Sequence, residues 1–124
     1  MKVHRADSIR PTPSDHGEGV AIRWVISRRD GAPNFAMRVI EVDPGHATPF
    51  HDHWNEHEVY VLEGMGVVKS AEGDRPVTPG DVVYVAPDEQ HQFVNSGDEV
   101  FKFICVVPLE EKKKASTDPQ MNTD

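Results

Sequence analysis

A chain of 124 residues is about one ordinary domain, enough to bury one core and too short for a second. Its formal charge is -8, from 21 acidic against 13 basic residues, and the bases cluster only at Arg28-Arg29 and Lys112-Lys113-Lys114, which argues against nucleic acid as a partner. The single cysteine, Cys105, excludes an intramolecular disulfide; with no apolar signal-peptide core near the start and no run approaching the ~18 apolar residues of a membrane span, the expectation is a soluble cytoplasmic protein.

The first 19 residues are polar, contain Pro11 and Pro13 and show no sustained periodicity, so they read as an irregular N-terminal arm packed on a domain. From Val20 the pattern changes to short segments rich in β-branched and aromatic residues. These predict strands at 21–27, 35–42, 48–53, 58–63, 66–70, 75–78, 81–85, 91–95 and 100–107. Asp43-Pro44-Gly45, Glu72-Gly73-Asp74, Pro79-Gly80 and Ser96-Gly97-Asp98 supply the turns between them. Strand, turn, strand at this spacing suggests an all-β barrel or sandwich over residues 20–108. Residues 109–124 have almost nothing to bury, and we expect a flexible tail whose lysine run is a solvated end.

Seven histidines are many for this length, and their placement needs a reason. In a strand, side chains at i and i+2 share a face, so His51 and His53 can approach one ion together. His57 follows after the loop Trp54-Asn55-Glu56, where it can turn back to the same ion, and His91 opens a later strand that only a closed barrel would bring near. Neutral imidazoles suit borderline divalent metals, and three that converge already make a credible site. A lone histidine on a strand is more often a surface or satisfied core residue, and that reading stands for His4, His16 and His46. Glu58 alternates away from the His57 face and is expected to be structural.

Residues 45–64, GHATPFHDHWNEHEVYVLEG, resemble the first motif of the cupin family, and residues 80–95, GDVVYVAPDEQHQFVN, resemble the second, with 15 residues between them. The resemblance implies an all-β fold, the cupin double-stranded β-helix or jelly-roll barrel, with His51, His53, His57 and His91 as metal ligands. Two departures stand out. His57 occupies the third ligand position, where the motif usually has Glu, and Ala86 and Asp88 replace the usual Pro and Gly, the latter tolerable because Asp accepts the left-handed conformation. GAPNFAMRVIEVDPG and FKFICVVP extend the likeness to the small four-histidine manganese cupins of thermophilic bacteria. That likeness implies one divalent metal, manganese first with Fe, Ni, Cu or Zn as alternatives. It also implies a homodimer, for which exposed sheet edges give an independent reason.

Arg38 lies in an otherwise largely apolar strand, where a guanidinium is costly to bury without a partner. It is either a pocket cation that orients an anionic substrate, the catalytic assignment the resemblance favours, or a solvent-facing side chain. Phe101, Phe103 and Cys105 share strand parity, which core packing explains; the resemblance implies that Phe103 and Cys105 line the substrate pocket. Trp54 stands directly after the HxH pair, where the relatives commonly have Pro, and is expected at the pocket rim. The function expected is that of a metal-dependent oxygenase-type enzyme acting on a small phenolic or enol-like molecule. The alternatives are a Lewis-acid isomerase, cyclase or decarboxylase of zinc type, and a non-catalytic metal or small-molecule binding module.

Overall fold

The computed structural model describes residues 1–12 and 17–109. The strands are β1 (Val20–Ile26), β2 (Phe35–Val42), β3 (His57–Glu63), β4 (Gly66–Ser70), β5 (Gly73–Val77), β6 (Val82–Val85), β7 (His91–Asn95) and β8 (Phe101–Pro108), and burial alternates residue by residue most clearly along β3, β7 and β8. Alternation of this kind gives each strand one apolar face, and two sheets bury those faces against each other. The larger sheet runs β1-β2-β8-β3-β6 and the smaller β5-β4-β7, with antiparallel pairing throughout. The result is the expected all-β jelly roll. Val42, Val61, Phe101 and Phe103 are its largest fully buried side chains. No helix among the described residues is long and apolar enough to cross a membrane.

The last strand takes a central place. β8 lies between β2 and β3, with Val42 opposite Phe101, Ile40 opposite Phe103 and Arg38 opposite Cys105 on one side. On its other side Val61 pairs with Phe103 and Val59 with Cys105. Every second residue of β8 is buried, so Phe101, Phe103, Cys105 and Val107 all face the interior.

Two predicted elements are corrected. Residues 48–53 do not form a continuous strand; this stretch and Ala47 before it meet β7 at the isolated bridges Ala47–Val94 and His51–His91 and through Thr48. Pro49 has no N–H to give a ladder, and Thr48 sends its own N–H to Phe93 O (2.9 Å) while its hydroxyl accepts Phe93 N–H (2.9 Å). The fifth strand begins at Gly73, not Arg75, because Ser70 pairs with Gly73 and leaves Ala71-Glu72 as a two-residue turn. The Ser70 hydroxyl closes that turn, donating to Gly73 O and accepting Glu72 N–H.

The arm is more ordered than its composition suggests. It makes a 3-10 turn over Ala6–Ser8 and follows β1, with Thr12 N–H donated to Ile22 O and the Arg23 guanidinium donated to Ile9 O. Exposed His4 is tied by Nε2 to Val25 O at 2.7 Å. His46, expected on the surface, is half-buried over Gly19, where an added Cβ would strike its ring. His16, the lysine run and all of the expected tail except Leu109 lie outside the described residues.

Asn95 stitches the two sheets together. Its buried amide donates to Val42 O and Glu99 O, both at 2.8 Å, and its Oδ1 accepts Gly97 N–H at 2.8 Å. Replacing it with Leu strands two carbonyls and one N–H, so Asn95→Leu should lose about 2 to 4 kcal/mol in equilibrium urea unfolding. A loss under about 0.5 kcal/mol would show that the sheets do not depend on this side chain.

Candidate metal centre

Four histidines meet between the sheets, and each arrives by a different local device. His51 and His91 form a hydrogen-bonded antiparallel pair, with His51 N–H to His91 O at 3.2 Å and the reverse bond at 3.0 Å, which sets both side chains on one face. His53 is held through its carbonyl, which accepts Asp88 N–H at 2.6 Å. Asp88 has φ +65°, the left-handed conformation expected where the motif usually has Gly. His57 begins β3 with its side chain buried, while Glu58 points outward.

One imidazole nitrogen from each of His51, His53 and His91 lies within 4.8 Å of the others. His57 is not in that trio by its nitrogens, yet its ring is as near as theirs are to one another, 5.2 Å between centroids from His53 and 5.1 Å from His91, against 5.4 Å for His51–His91 and 5.9 Å for His53–His91. The donor chemistry fits a divalent cation. His91 Nδ1 sits 2.8 Å from Glu89 O, which can only accept, so Nδ1 carries the proton and Nε2 keeps its lone pair for the cavity. His57 Nε2 is buried with no hydrogen-bond partner.

His53 and His57 are neutral near pH 7. Burial, followed by the positive influence of His51, His91 and Arg38, pushes His53 down to about 4. Burial and then Arg38 push His57 down to about 3. A ligand that holds no proton has its lone pair ready for a metal.

The surrounding cavity is small, about 90 Å³. Ile22, Ile40, Phe93 and Phe103 form its apolar walls, Thr48 and Pro49 its edge, and Arg38 and Cys105 join the histidines as its polar lining. Among the described residues no carboxylate lines it. Arg38 lies over the Trp24 ring, 5.2 Å from guanidinium carbon to centroid, and donates through Nη2 to Cys105 Sγ at 3.0 Å. Its Nε is buried without a hydrogen-bond partner, and among the described residues no carboxylate pairs with it. Burial pushes the Cys105 thiol up, against the opposing pull of Arg38.

Of the residues singled out in the sequence, Arg38, Phe103, Cys105 and the four histidines line this one cavity. Trp54 does not. It lines a separate hollow with Phe35, Glu56, Glu58 and Pro108, because alternation from the inward-facing His51 and His53 sets residue 54 on the opposite face, and the chain bends there. Ile22, Trp24 and Thr48 were not identified as site residues from sequence. The parity of β1 carries a signal for the first two, but only the pairing of Trp24 with Arg38 makes it legible.

The cupin domain model matches residues 38–107, more than half of the chain. The chain belongs to the cupin family. Among solved structures, this cupin is similar to the polyketide cyclase RemF from Streptomyces resistomycificus, with 30% identity, a TM-score of 0.83, and coverage of 89% of this chain and 80% of that one. It is 40% identical over 67 residues to a glucose-6-phosphate isomerase of Pyrococcus horikoshii, covering 49% of this chain and 35% of that protein. It is 32% identical over 71 residues to an oxalate-binding protein of Thermotoga maritima, covering 56% and 59%. The chain thus spans between about a third and three fifths of the length of these last two relatives.

Depressed histidines link the metal-free fold to pH. In the unfolded chain both return to the ordinary 6.5, so the unfolded state takes up protons first as pH falls. The stability they contribute is complete above about pH 6.5 and is lost from there toward 4 and 3, by at most about 1.4 kcal/mol per pH unit for each ring. Urea midpoints of metal-free protein should therefore fall between pH 7 and pH 5, and the fall should shrink in a His53→Asn, His57→Asn double variant. An unchanged pH dependence in that variant would assign the effect to other groups.

Proposed function

We propose that this cupin is a metal-dependent enzyme that binds a small enol-like, phenolic or carboxylic substrate as its anion, with His51, His53, His57 and His91 holding one divalent ion and Arg38 orienting the anionic oxygen. The observation that carries the reading is a cavity lined by four imidazoles, of which burial keeps His53 and His57 neutral, and by an arginine without a carboxylate partner, so that among the described residues the lining holds no negative charge. A divalent ion, when bound, supplies Lewis-acid charge, and four neutral ligands leave its +2 undiminished. Arg38 adds a donor for the same anion. Phe93, Phe103, Ile22 and Ile40 keep water out, which strengthens these interactions. With no carboxylate among the described residues of the lining, the cavity suits a substrate that gives up its proton easily.

Redox-neutral enolate chemistry, as in an isomerase or cyclase, is the reading we favour, supported by the likeness to a polyketide cyclase and to glucose-6-phosphate isomerases. Oxygenase-type chemistry with manganese is the second reading, supported by His57 at the third ligand position, as in the four-histidine manganese cupins. We also propose a homodimer. Tyr60, Val82 and Tyr84 are exposed on the outer face of the larger sheet around a shallow hollow shared with Ile104 and Val106, an apolar surface suited to a second copy.

Protein reconstituted with Mn, Fe or Zn and incubated with phenolic and 1,3-dicarbonyl compounds, with and without O₂, separates the readings by mass spectrometry. An isomeric product formed with Zn supports enolate chemistry. Oxygen gained only with Mn or Fe supports the oxygenase, and no turnover with any metal leaves a binding module. Arg38→Met should weaken azide or catecholate binding to the metal-loaded protein by about 10- to 100-fold in titration calorimetry; unchanged affinity would remove Arg38 from the site. Light scattering should return twice 13.9 kDa, and Tyr60→Lys with Tyr84→Lys should return 13.9 kDa. A monomeric parent protein would end the dimer proposal.

A further inference from the structure

The side chains behind His57 have a role of their own. Because β8 runs between β2 and β3, Cys105 has Arg38 opposite it on one side and His57 diagonal to it on the other. Cys105 Sγ lies 3.0 Å from Arg38 Nη2 and 3.4 Å from His57 Nδ1, and Arg38 Nη2 lies 3.5 Å from the same Nδ1. On the far side of the ring, Nε2 is buried with no hydrogen-bond partner.

A neutral imidazole carries one proton, so the partner of Nδ1 decides the state of Nε2. A guanidinium only donates. Facing Arg38 alone, Nδ1 would have to accept, and Nε2 would hold the proton and have no lone pair for a metal. Sulfur also accepts, and it is 0.5 Å closer to Arg38 Nη2 than Nδ1 is, the difference between 3.5 and 3.0 Å. Arg38 Nη2 donates to the nearer sulfur and its contact with Nδ1 is the longer of the two, so with the thiol hydrogen turned away from the ring Nδ1 can donate to the same sulfur.

We propose, on the metal reading above, that Cys105 is a positioning residue whose sulfur accepts the Nδ1 hydrogen of His57 and so selects the tautomer in which Nε2 is a metal donor. His57 is the ring that needs such a device. Its nitrogens lie outside the 4.8 Å trio formed by the other three histidines. His91 obtains the same tautomer from the Glu89 carbonyl, whereas His57 has a cation beside its outer nitrogen.

Zinc titrated into protein with ¹⁵N-labelled histidine, followed by long-range proton–nitrogen NMR, reads the tautomer and the bound nitrogen of each ring. In the unaltered protein all four rings should respond to zinc, with His57 protonated at Nδ1 and bound through Nε2. Cys105→Val, which removes the acceptor, should place the His57 proton on Nε2 and leave that ring unresponsive while His51, His53 and His91 still shift. Zinc affinity should fall by about 10- to 100-fold, as for other groups that orient a ligand. Cys105→Ser, whose oxygen accepts, should restore the His57 response, a rescue that packing alone does not explain. Cys105→Ala gives the same readout if the valine variant does not fold. Zinc bound through His57 Nε2 in the valine or alanine variant overturns the assignment, as does an unaltered protein in which the other three rings shift and His57 does not. Zinc that shifts none of the four rings overturns the metal reading and this assignment together, and is distinguished from the other failures by the silence of His51, His53 and His91.

Discussion

His51 and His91 exchange two main-chain hydrogen bonds, each N–H donating to the other's carbonyl, and the rest of the cavity is arranged around that exchange. It pins the segment before β3 to β7, in the smaller sheet, although residues 48–53 form no continuous ladder. His57 belongs to the larger sheet through its pairing with Val85. The donor set therefore spans the gap between the sheets, and the Asp88 bond to His53 O closes the same joint from the second motif. A shift of one residue in the His51–His91 pairing would turn the His51 side chain away from His91, which β4 holds in place.

The electrostatics of the cavity run against those of the whole chain. The protein carries a formal charge of -8, yet the cavity holds a guanidinium among imidazoles and, among the described residues, no carboxylate. An approaching anion meets a repulsive field at long range and an attractive one only inside the walls, where apolar neighbours preserve the local potential. Stacking on Trp24 and the contact with Cys105 Sγ fix the guanidinium in that position without neutralising it.

Much of this was readable from residue order, and the boundary of what was readable is physical. The i, i+2 spacing of His51 and His53, the parity of Phe101, Phe103 and Cys105, and the cost of placing Arg38 in an apolar strand are local properties, and local rules handle them. Asp88 was legible because few side chains accept positive φ. The failures had different causes. Pro49 broke a ladder that alternation predicted, and Trp54, one residue past the inward-facing His53, lies on the opposite face, away from the cavity where the motif position had suggested it. The contact of Cys105 with both Arg38 and His57 depends on the order of strands in a sheet, across separations of 67 and 48 residues, which no window of sequence contains.

The central position of the last strand also bears on how the protein comes into being. β8 ends at Pro108, yet it separates β2 from β3, so the larger sheet cannot close until nearly all of the described chain is available. Contacts this distant in sequence are the slow ones to form, since loop closure must precede them. His51, His53 and His57 lie within seven residues and leave the ribosome early, while the ring that faces them from β7 and the strand that backs His57 arrive later. The enclosed cage is a late product of folding, assembled around its walls and not the seed from which they grow.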